Sequence, residues 1–398
     1  MGVLDVPGYS RAQTDAAIVA AGGVTLRAQN DQDEKRNMAL RRFRVGMAGI
    51  DSAPVVIFTE TDSIGEGYNL GAGGAWNKTD RPMDRLLAEL NRRLAVTGAP
   101  GAGPYVPVRM ASSVGPATGW PWTLSGSPAL SLDSMGPGLR TNIVSGTQYV
   151  EYAALGITKF RVFYGKGPLA GTLRIRLDGT VVTTIAVNDV SVNTDGFFYD
   201  VAIPDTSAHA VRLEASAGAV FVHGGMPLNG NDTKGWQIIE GGHSSAGSKV
   251  FVASTPNDAR KVRRDQIAAA QPHLYYLELG ANDFANDSQK LTAAAFKTNV
   301  QAMIADARTA STTKPSIVLG AAWELNAAIT PLSPWKDYRA ALYDIAAGDA
   351  DIVVFDMAQR VRTAPPLDNA RGLLSDLTHL STAGSRAWAR DFAQFLLA

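Results

Sequence analysis

The sequence "VVIFTETDSIGEG" (residues 55–67) ends an apolar run and at once places Asp62, Ser63 and two glycines. A short apolar run that is bounded by turn residues predicts a buried strand. The residues that follow are typical of a plain turn, or of a strand-to-helix turn that exposes a nucleophilic serine. The rest of the chain has to decide between these two interpretations.

The composition is that of a globular protein without an excess of charge. The chain has 398 residues, which predicts two or more folded units. Lys+Arg and Asp+Glu both number 37, and this balance argues against nucleic acid as a partner. There is no cysteine, which excludes disulfides, thiolate metal sites and cysteine catalysis. The five histidines show no ligand spacing, so we predict neither a metal nor another cofactor.

Signals for membranes and export are missing from the sequence patterns. No apolar run reaches the about 18 residues that a membrane span needs, so we predict no membrane span. The first ten residues, "MGVLDVPGYS", match neither a signal peptide nor a myristoylation motif.

Strands and helices alternate over most of the chain. The predicted strands are 55–60, 236–242, 274–280, 316–323 and 351–356. The predicted helices between and after them are 82–95, 258–271, 291–308, 334–348 and 381–398. Apolar strands that alternate with amphipathic helices predict an α/β fold with a parallel sheet covered on both faces.

A different pattern interrupts this alternation. Residues 105–233 contain short β-type runs separated by turn signals, among them the hairpin signal "RLDGTV". They predict an all-β sandwich that is inserted into an α/β domain made of residues 51–104 and 234–398. For residues 1–50 we predict an N-terminal helical segment, with helices near 11–20 and 32–46.

Polar residues follow the predicted strands where a parallel sheet forms its sites, at the carboxyl ends. Ser63 follows the first strand, "GGHSSAGS" (241–248) the second and "GAND" (280–283) the third. Asp376 and His379 stand three residues apart before the last helix. His379 can take a proton from Ser63 while Asp376 holds the other ring nitrogen. An oxyanion needs several donors, which the backbone at the first two turns and the Asn282 amide can supply.

These blocks, in this order, resemble the SGNH hydrolase family, also called GDSL esterases, over residues 55–98 and 236–398. The resemblance implies a three-layer flavodoxin-like α/β domain. It also implies a serine esterase in which Ser63 is the nucleophile, His379 the base and Asp376 its partner. Thr61 stands where the family usually has glycine.

The resemblance also implies an oxyanion hole. Its donors would be the Ser63 amide, the Asn282 side chain and an amide of the second block. For that amide Ser245 and Gly247 both remain candidates. We further expect His243 and Asp283, which lie in the second and third blocks, to contact the substrate.

Two further likenesses bear on the substrate. A β-sandwich beside such a domain resembles carbohydrate esterases, and residues 160–179 look like their jelly-roll portions. Residues 2–23 resemble the N-termini of some actinobacteriophage tail proteins. Together they imply an esterase or deacetylase for glycans of the cell surface or cell wall, carried on a virion tail. The expected partners are an ester-bearing glycan or small ester, and tail proteins or further copies of the chain.

Other interpretations remain open at this stage. One is a general short-chain carboxylesterase or lipase whose β region is a scaffold, and another is a glycan-binding tail protein without activity. Glu60 and Glu240, at strand ends, could form the carboxylate pair of a glycosidase. Three tryptophans are candidates for stacking on sugars or for the core: Trp120, Trp122 and Trp236.

Overall fold

The computed structural model describes residues 26–68, 70, 78–101, 103–108, 120–130, 141–144, 146–168, 170–253, 259–323, 330–357, 372–376 and 378–398. Residues 2–23, with the helix predicted near 11–20, lie outside the described residues. The helix predicted at 32–46 is found as two helices on either side of Leu40.

The strands in the described residues are β1 (Pro54–Thr61), β2 (Val106–Pro107), β3 (Trp122–Ser125), β4 (Ala129–Leu130), β5 (Thr141–Val144), β6 (Tyr149–Ala154), β7 (Lys159–Lys166), β8 (Thr172–Leu177), β9 (Thr180–Ala186), β10 (Thr194–Ala202), β11 (His209–Ala217), β12 (Ala219–Leu228), β13 (Gly235–Glu240), β14 (Leu274–Glu278), β15 (Ser316–Ala321) and β16 (Ile352–Asp356). The helices are α1 (Leu26–Ala39), α2 (Arg41–Ala48), α3 (Ser63–Glu66), α4 (Pro82–Arg93), α5 (Ser248–Phe251), α6 (Ala259–Ala270), α7 (Ala281–Ala285), α8 (Ala293–Ala310), α9 (Trp335–Ala347) and α10 (Thr382–Leu397).

The predicted parallel sheet is confirmed. Five strands pair in the order β13-β1-β14-β15-β16, and every pair is parallel. Numbered by their place in the chain, these strands run 2-1-3-4-5, which is the order of flavodoxin-like folds. Because all strands run in one direction, Thr61, Glu240 and Glu278 end at the same edge of the sheet.

Helices cover both faces of this sheet, as its apolar strands require. The neighbours Tyr275 and Tyr276 on β14 point to opposite faces because side chains alternate along a strand. Tyr275 contacts Arg263 of α6, with its hydroxyl 3.4 Å from the guanidinium. The Tyr276 ring packs on Trp388 and Phe392 of α10, with centroids 6.0 and 4.5 Å apart. The α/β part therefore has three layers.

Strands β2 to β12 form two antiparallel sheets. One has the order β10-β7-β12-β5-β4, with β2 paired to β12, and the other has the order β3-β6-β11-β8-β9. Both sheets contribute side chains to one buried apolar cluster, including Tyr152 and Leu213 from one sheet and Val162 and Val220 from the other. The limits 105 and 233 of a separate domain remain a prediction.

The antiparallel sheets also contact the α/β part directly. Phe163 and Met226, on β7 and β12, are buried in the same apolar cluster as the core of the parallel sheet. Strand β10 lies along α6, where the Asp195 amide donates to the Asp265 carboxylate at 3.2 Å. A side chain at Gly196 would come within 2.5 Å of the Asp265 carbonyl, so only glycine allows this approach.

Candidate active site

The turn after β1 is a strand-to-helix turn. Asp62 is extended and caps the short helix α3, and its Oδ1 accepts a hydrogen bond of 2.9 Å from the Ile64 amide. Ser63 is the first residue of α3, and Gly67 ends the helix in the left-handed conformation at φ 85°. This geometry holds Ser63 at the carboxyl edge of the sheet.

The packing around this turn explains how a threonine fits at position 61 and why a glycine is needed at position 65. A Cβ atom at Gly65 would lie 2.4 Å from Thr61 Oγ1, so the threonine side chain occupies the space that Gly65 leaves free. Thr61 therefore packs in the position where the family has glycine, and Ser63 keeps its place.

Ser63, His379 and Asp376 form one hydrogen-bonded chain. Ser63 Oγ lies 2.9 Å from His379 Nε2, and His379 Nδ1 lies 2.7 Å from Asp376 Oδ2. Asp376 Oδ1 also accepts from the amides of Thr378 and His379, each at 2.6 Å. The His379 side chain is 15% exposed, so it can be reached from solvent.

The electrostatics keep Asp376 ionised. Burial alone would raise the pKa of Asp376. Hydrogen bonds from the His379 ring and from the amides of His379 and Thr378 outweigh burial and lower this pKa well below its usual range. A permanent carboxylate fixes the imidazole with Nδ1–H toward Asp376, which leaves Nε2 free to accept a proton from Ser63.

Three amide groups predicted for the oxyanion hole lie on elements that meet at this edge. The backbone N–H groups of Ser63, Ser245 and Gly247 have no hydrogen-bond acceptor among the described residues. Asn282, on α7, places its Nδ2 3.4 Å from Asp62 Oδ2, next to the serine. Ser245 has φ 66°, an uncommon conformation for a residue other than glycine.

Asp283 and His243, the two residues expected to contact the substrate, differ in their surroundings. Asp283 is fully buried and accepts hydrogen bonds from Ser248, so its side chain faces the protein instead of a substrate. His243 is half-buried, and its Nδ1 donates to the Ser244 carbonyl at 2.7 Å. Its amide donates to the Thr61 carbonyl at 3.0 Å, so His243 also extends the pairing between β1 and β13.

Two residues near Ser63 carry no motif and were missed by sequence reasoning. Tyr68 is 39% exposed, and its ring centroid lies 4.8 Å from that of His379. Glu66 is fully buried and accepts a hydrogen bond of 2.8 Å from the Ser244 amide. Their nearness to Ser63 in the chain was the only available signal.

Two acidic side chains near the serine are buried, Asp62 before it in the chain and Glu278 at the end of β14. Burial raises the pKa of Asp62 to about 7, although the hydrogen bond from the Ile64 amide opposes this. Burial also raises the pKa of Glu278 to about 7, against the hydrogen bond from Tyr276. Glu278 further raises the pKa of Asp62, since two like charges disfavour each other.

The glycosidase interpretation is not supported, because its two carboxylates face opposite sides of the sheet. Glu240 is in register with Thr59 and therefore points away from the face that Glu60 occupies. Glu60 is buried against Arg263 at 3.0 Å, and Glu240 against Arg81 at 2.7 Å. The three candidate tryptophans are buried as well, which makes them core residues: Trp120, Trp122 and Trp236.

Within the described ranges, no group of three or more His, Asp or Glu residues is arranged to hold a metal ion. None of the described helices is both long and apolar enough to cross a membrane.

A parallel α/β sheet with a serine, histidine and aspartate at its carboxyl edge defines the class of the protein, an α/β hydrolytic enzyme. A family model described as GDSL-like Lipase/Acylhydrolase matches residues 193–392. The chain belongs to this family and is a serine ester hydrolase. The match contains the blocks with Asn282 and His379, whereas Ser63 lies before it.

A solved structure has a similar fold. A structure titled "Peptidoglycan O-acetylesterase in action, 5 min" is 13% identical, with a TM-score of 0.59 over 90% of this chain and 94% of that chain. A family two carbohydrate esterase from Clostridium thermocellum is 13% identical over 67% of this chain and 97% of that chain, with a TM-score of 0.31. No curated protein matches the sequence.

Proposed function

We propose that this protein removes acetyl groups from O-acetylated glycans of a cell surface or cell wall, with Ser63 as nucleophile. The observation that carries the proposal is the chain of contacts from Ser63 Oγ to His379 Nε2 at 2.9 Å and from His379 Nδ1 to Asp376 Oδ2 at 2.7 Å. Such a chain activates a serine for attack on an ester carbonyl.

In the first half of the reaction, Ser63 Oγ attacks the carbonyl carbon of the ester while His379 Nε2 takes the hydroxyl proton. The C=O bond becomes a C–O⁻ bond, which donors at the carboxyl edge stabilise. The candidate donors are the amides of Ser63, of Ser245 or Gly247, and the Asn282 side chain. The intermediate then expels the sugar oxygen, which receives the proton from His379, and an acetyl group remains on Ser63.

In the second half, water attacks the acetyl carbonyl and His379 takes a proton from it. The same donors stabilise the second oxyanion. When the bond to Ser63 Oγ breaks, His379 returns the proton to the serine and acetate leaves. Asp376 stays ionised throughout and stabilises the imidazolium that forms in each half.

The antiparallel sheets support a glycan as the substrate. We interpret them as a jelly-roll-like sandwich inserted into the hydrolase, which offers a further surface for a polymeric substrate. The peptidoglycan O-acetylesterase described above shares the fold over 90% of this chain, a share that includes these sheets. This likeness is one of fold alone and supports the substrate class without naming a sugar.

Acetate release tests the proposal. Purified protein and its Ser63→Ala variant are incubated with O-acetylated peptidoglycan, with an O-acetylated polysaccharide and with p-nitrophenyl esters of two to eight acyl carbons. We expect the parent protein to release acetate from a glycan and to prefer the acetyl ester. Equal turnover of long acyl esters without release from glycans indicates a general esterase, and binding without turnover indicates a glycan-binding protein.

A place on a virion tail remains part of the proposal only. It rests on the likeness of residues 2–23, which the structure does not describe. Detection of the protein in purified virions by mass spectrometry would test it.

A further inference from the structure

The loop after β13, residues 241–248, carries the two backbone amides that compete for one place in the oxyanion hole. One side of this loop is attached to the nucleophile turn. The amide of Ser244 donates to Glu66 Oε2 at 2.8 Å, and Glu66 is a fully buried residue of α3. A Cβ atom at Gly242 would lie 3.2 Å from Glu66 Cβ, so the start of the loop packs tightly on the same side chain.

The other side of the loop is attached to the third block. Both carboxyl oxygens of Asp283 lie 3.0 Å from the Ser248 amide, and Oδ1 also accepts from Ser248 Oγ at 2.6 Å. Asp283 is fully buried, and it directly follows Asn282, whose side chain is a candidate oxyanion donor. This one residue therefore links the loop to the position of Asn282.

Ser245 lies between these two attachments in an unfavourable backbone conformation. Its φ of 66° lies in the left-handed region, which is unfavourable for a residue with a side chain. Its carbonyl accepts from Asn286 Nδ2 at 3.3 Å. A conformation of this kind persists only where the surroundings impose it, and it is often found at functional sites.

We propose that Glu66 and Asp283 are positioning residues that clamp the second-block loop, so that its amide and the Asn282 side chain stay fixed relative to Ser63. This inference rests on the proposed function and deepens it. The clamp acts through hydrogen bonds to the Ser244 and Ser248 amides, and both carboxyl groups are fully buried. The burial that raises the pKa of Asp283 to about 6, against the hydrogen bonds from Ser248, fits a side chain enclosed by protein.

The clamp should affect the transition state more than substrate binding, because an oxyanion exists only after attack. Removal of one oxyanion donor costs about 10²–10³-fold in kcat in serine hydrolases. An oxyanion donor that is present but less well fixed should still stabilise the transition state in part. We therefore expect Glu66→Ala and Asp283→Ala to lower kcat by about 10–100-fold, with KM for p-nitrophenyl acetate nearly unchanged.

Conservative variants separate positioning from folding. Glu66→Gln and Asp283→Asn keep an oxygen that can accept from the Ser244 and Ser248 amides, so they should retain most of kcat. Glu66→Asp keeps the carboxyl group but withdraws it by one methylene, so kcat should fall. The matched control is Asn299→Ala, because Asn299 Nδ2 donates to the same Ser248 Oγ at 3.0 Å from α8, outside the site. It should leave kcat unchanged.

The experiment measures kcat and KM for p-nitrophenyl acetate, the pH profile of kcat/KM and the thermal midpoint. Enzyme concentration is counted by titrating Ser63 with p-nitrophenyl diethyl phosphate. A lower kcat per titrated site, with an unchanged pH profile and rescue by Gln and Asn, supports the clamp. Unchanged kcat per site in Glu66→Asp and Asp283→Ala overturns it, even when the thermal midpoint falls.

If an alanine variant does not fold, the conservative variants Glu66→Asp, Glu66→Gln and Asp283→Asn test the clamp instead. If Glu66→Asp matches the parent, or if the amide variants lose as much kcat as the alanine variants, the clamp is wrong. Failure of the proposed function looks different, because then the parent protein itself releases no acetate from glycans, whatever the Glu66 and Asp283 variants do to kcat for p-nitrophenyl acetate.

Discussion

Ser63 Oγ lies 2.9 Å from His379 Nε2, although the two residues are 316 positions apart in the chain. Each arrives by a separate element: Ser63 by the turn after β1, and His379 by the loop that enters α10. The contact can form only when the whole α/β part is folded. Activity therefore reports on native structure in those variants that keep Ser63, His379 and Asp376.

Replacement of the proposed nucleophile should abolish hydrolysis without unfolding the protein. We expect Ser63→Ala to lower kcat for p-nitrophenyl acetate by about 10⁶-fold, as in other serine hydrolases. Ser52→Ala, an exposed serine before β1, is the matched control and should keep full activity. Comparable turnover by Ser63→Ala and the parent, with equal thermal midpoints, would contradict the assignment.

The histidine and the aspartate should differ in their effects. His379→Ala removes the proton acceptor and should cost about as much as the loss of the serine. Asp376→Asn should cost about 10⁴-fold, because it removes the charge and orients the wrong tautomer. Asp376 Oδ1 also accepts hydrogen bonds from two backbone amides at 2.6 Å, and these shape the loop before α10. Circular dichroism must therefore show that Asp376→Asn is folded. Equal losses in kcat for the two folded variants would point to a larger role for Asp376.

The buried Asp62 should make stability depend on pH. Its folded pKa of about 7 lies above the unfolded value of about 3.9, so the folded state holds the proton more tightly. The contribution to stability is complete below about pH 4 and is lost as pH rises toward 7. Relative to Asp62→Asn, which does not titrate, the parent should gain stability between pH 8 and pH 5. If the thermal midpoints of the parent and of Asp62→Asn change in parallel across this pH range, the raised pKa of Asp62 is excluded.

Tyr68 should restrict the catalytic imidazole. Its ring lies 4.8 Å from that of His379 and covers one side of it. We expect Tyr68→Ala to lower kcat by about 10-fold, because a freer imidazole is less often aligned with Ser63. Tyr68→Phe keeps the ring and should keep kcat. If both variants lose the same activity, the hydroxyl group is what matters.

Chelators should not affect the enzyme, since the proposed chemistry uses a serine and no metal. Dialysis against EDTA should leave kcat for p-nitrophenyl acetate unchanged. Loss of activity in EDTA that zinc or manganese restores would refute this prediction, and loss that no metal restores would point to an indirect effect.

Much of the site follows from local sequence, because each block sits where a predicted strand or loop ends. Ser63, Asn282, Asp376 and His379 could be placed at one edge from the alternation of strands and helices alone. Strand ends also fell within a few residues of their positions in the structure, since the apolar runs are short and bounded by turn residues.

The partners of buried charges could not be predicted in this way. Asp283 looks like a polar residue beside the site, yet its partner Ser248 is 35 positions away. Glu60 and Glu240 look like a matched pair at strand ends, and only the folded chain shows that Arg263 and Arg81 neutralise them on opposite faces. The ion pair that a buried carboxylate needs is a tertiary contact, and no local pattern encodes it.

The contact between the antiparallel sheets and the hydrolase core limits how the chain can be rearranged. Phe163 and Met226 are buried in the same apolar core as the parallel sheet, and β10 contacts α6. We therefore expect the antiparallel sheets to fold together with the α/β part. A truncated hydrolase would expose that core to water and aggregate, and calorimetry of the intact chain should record one cooperative transition.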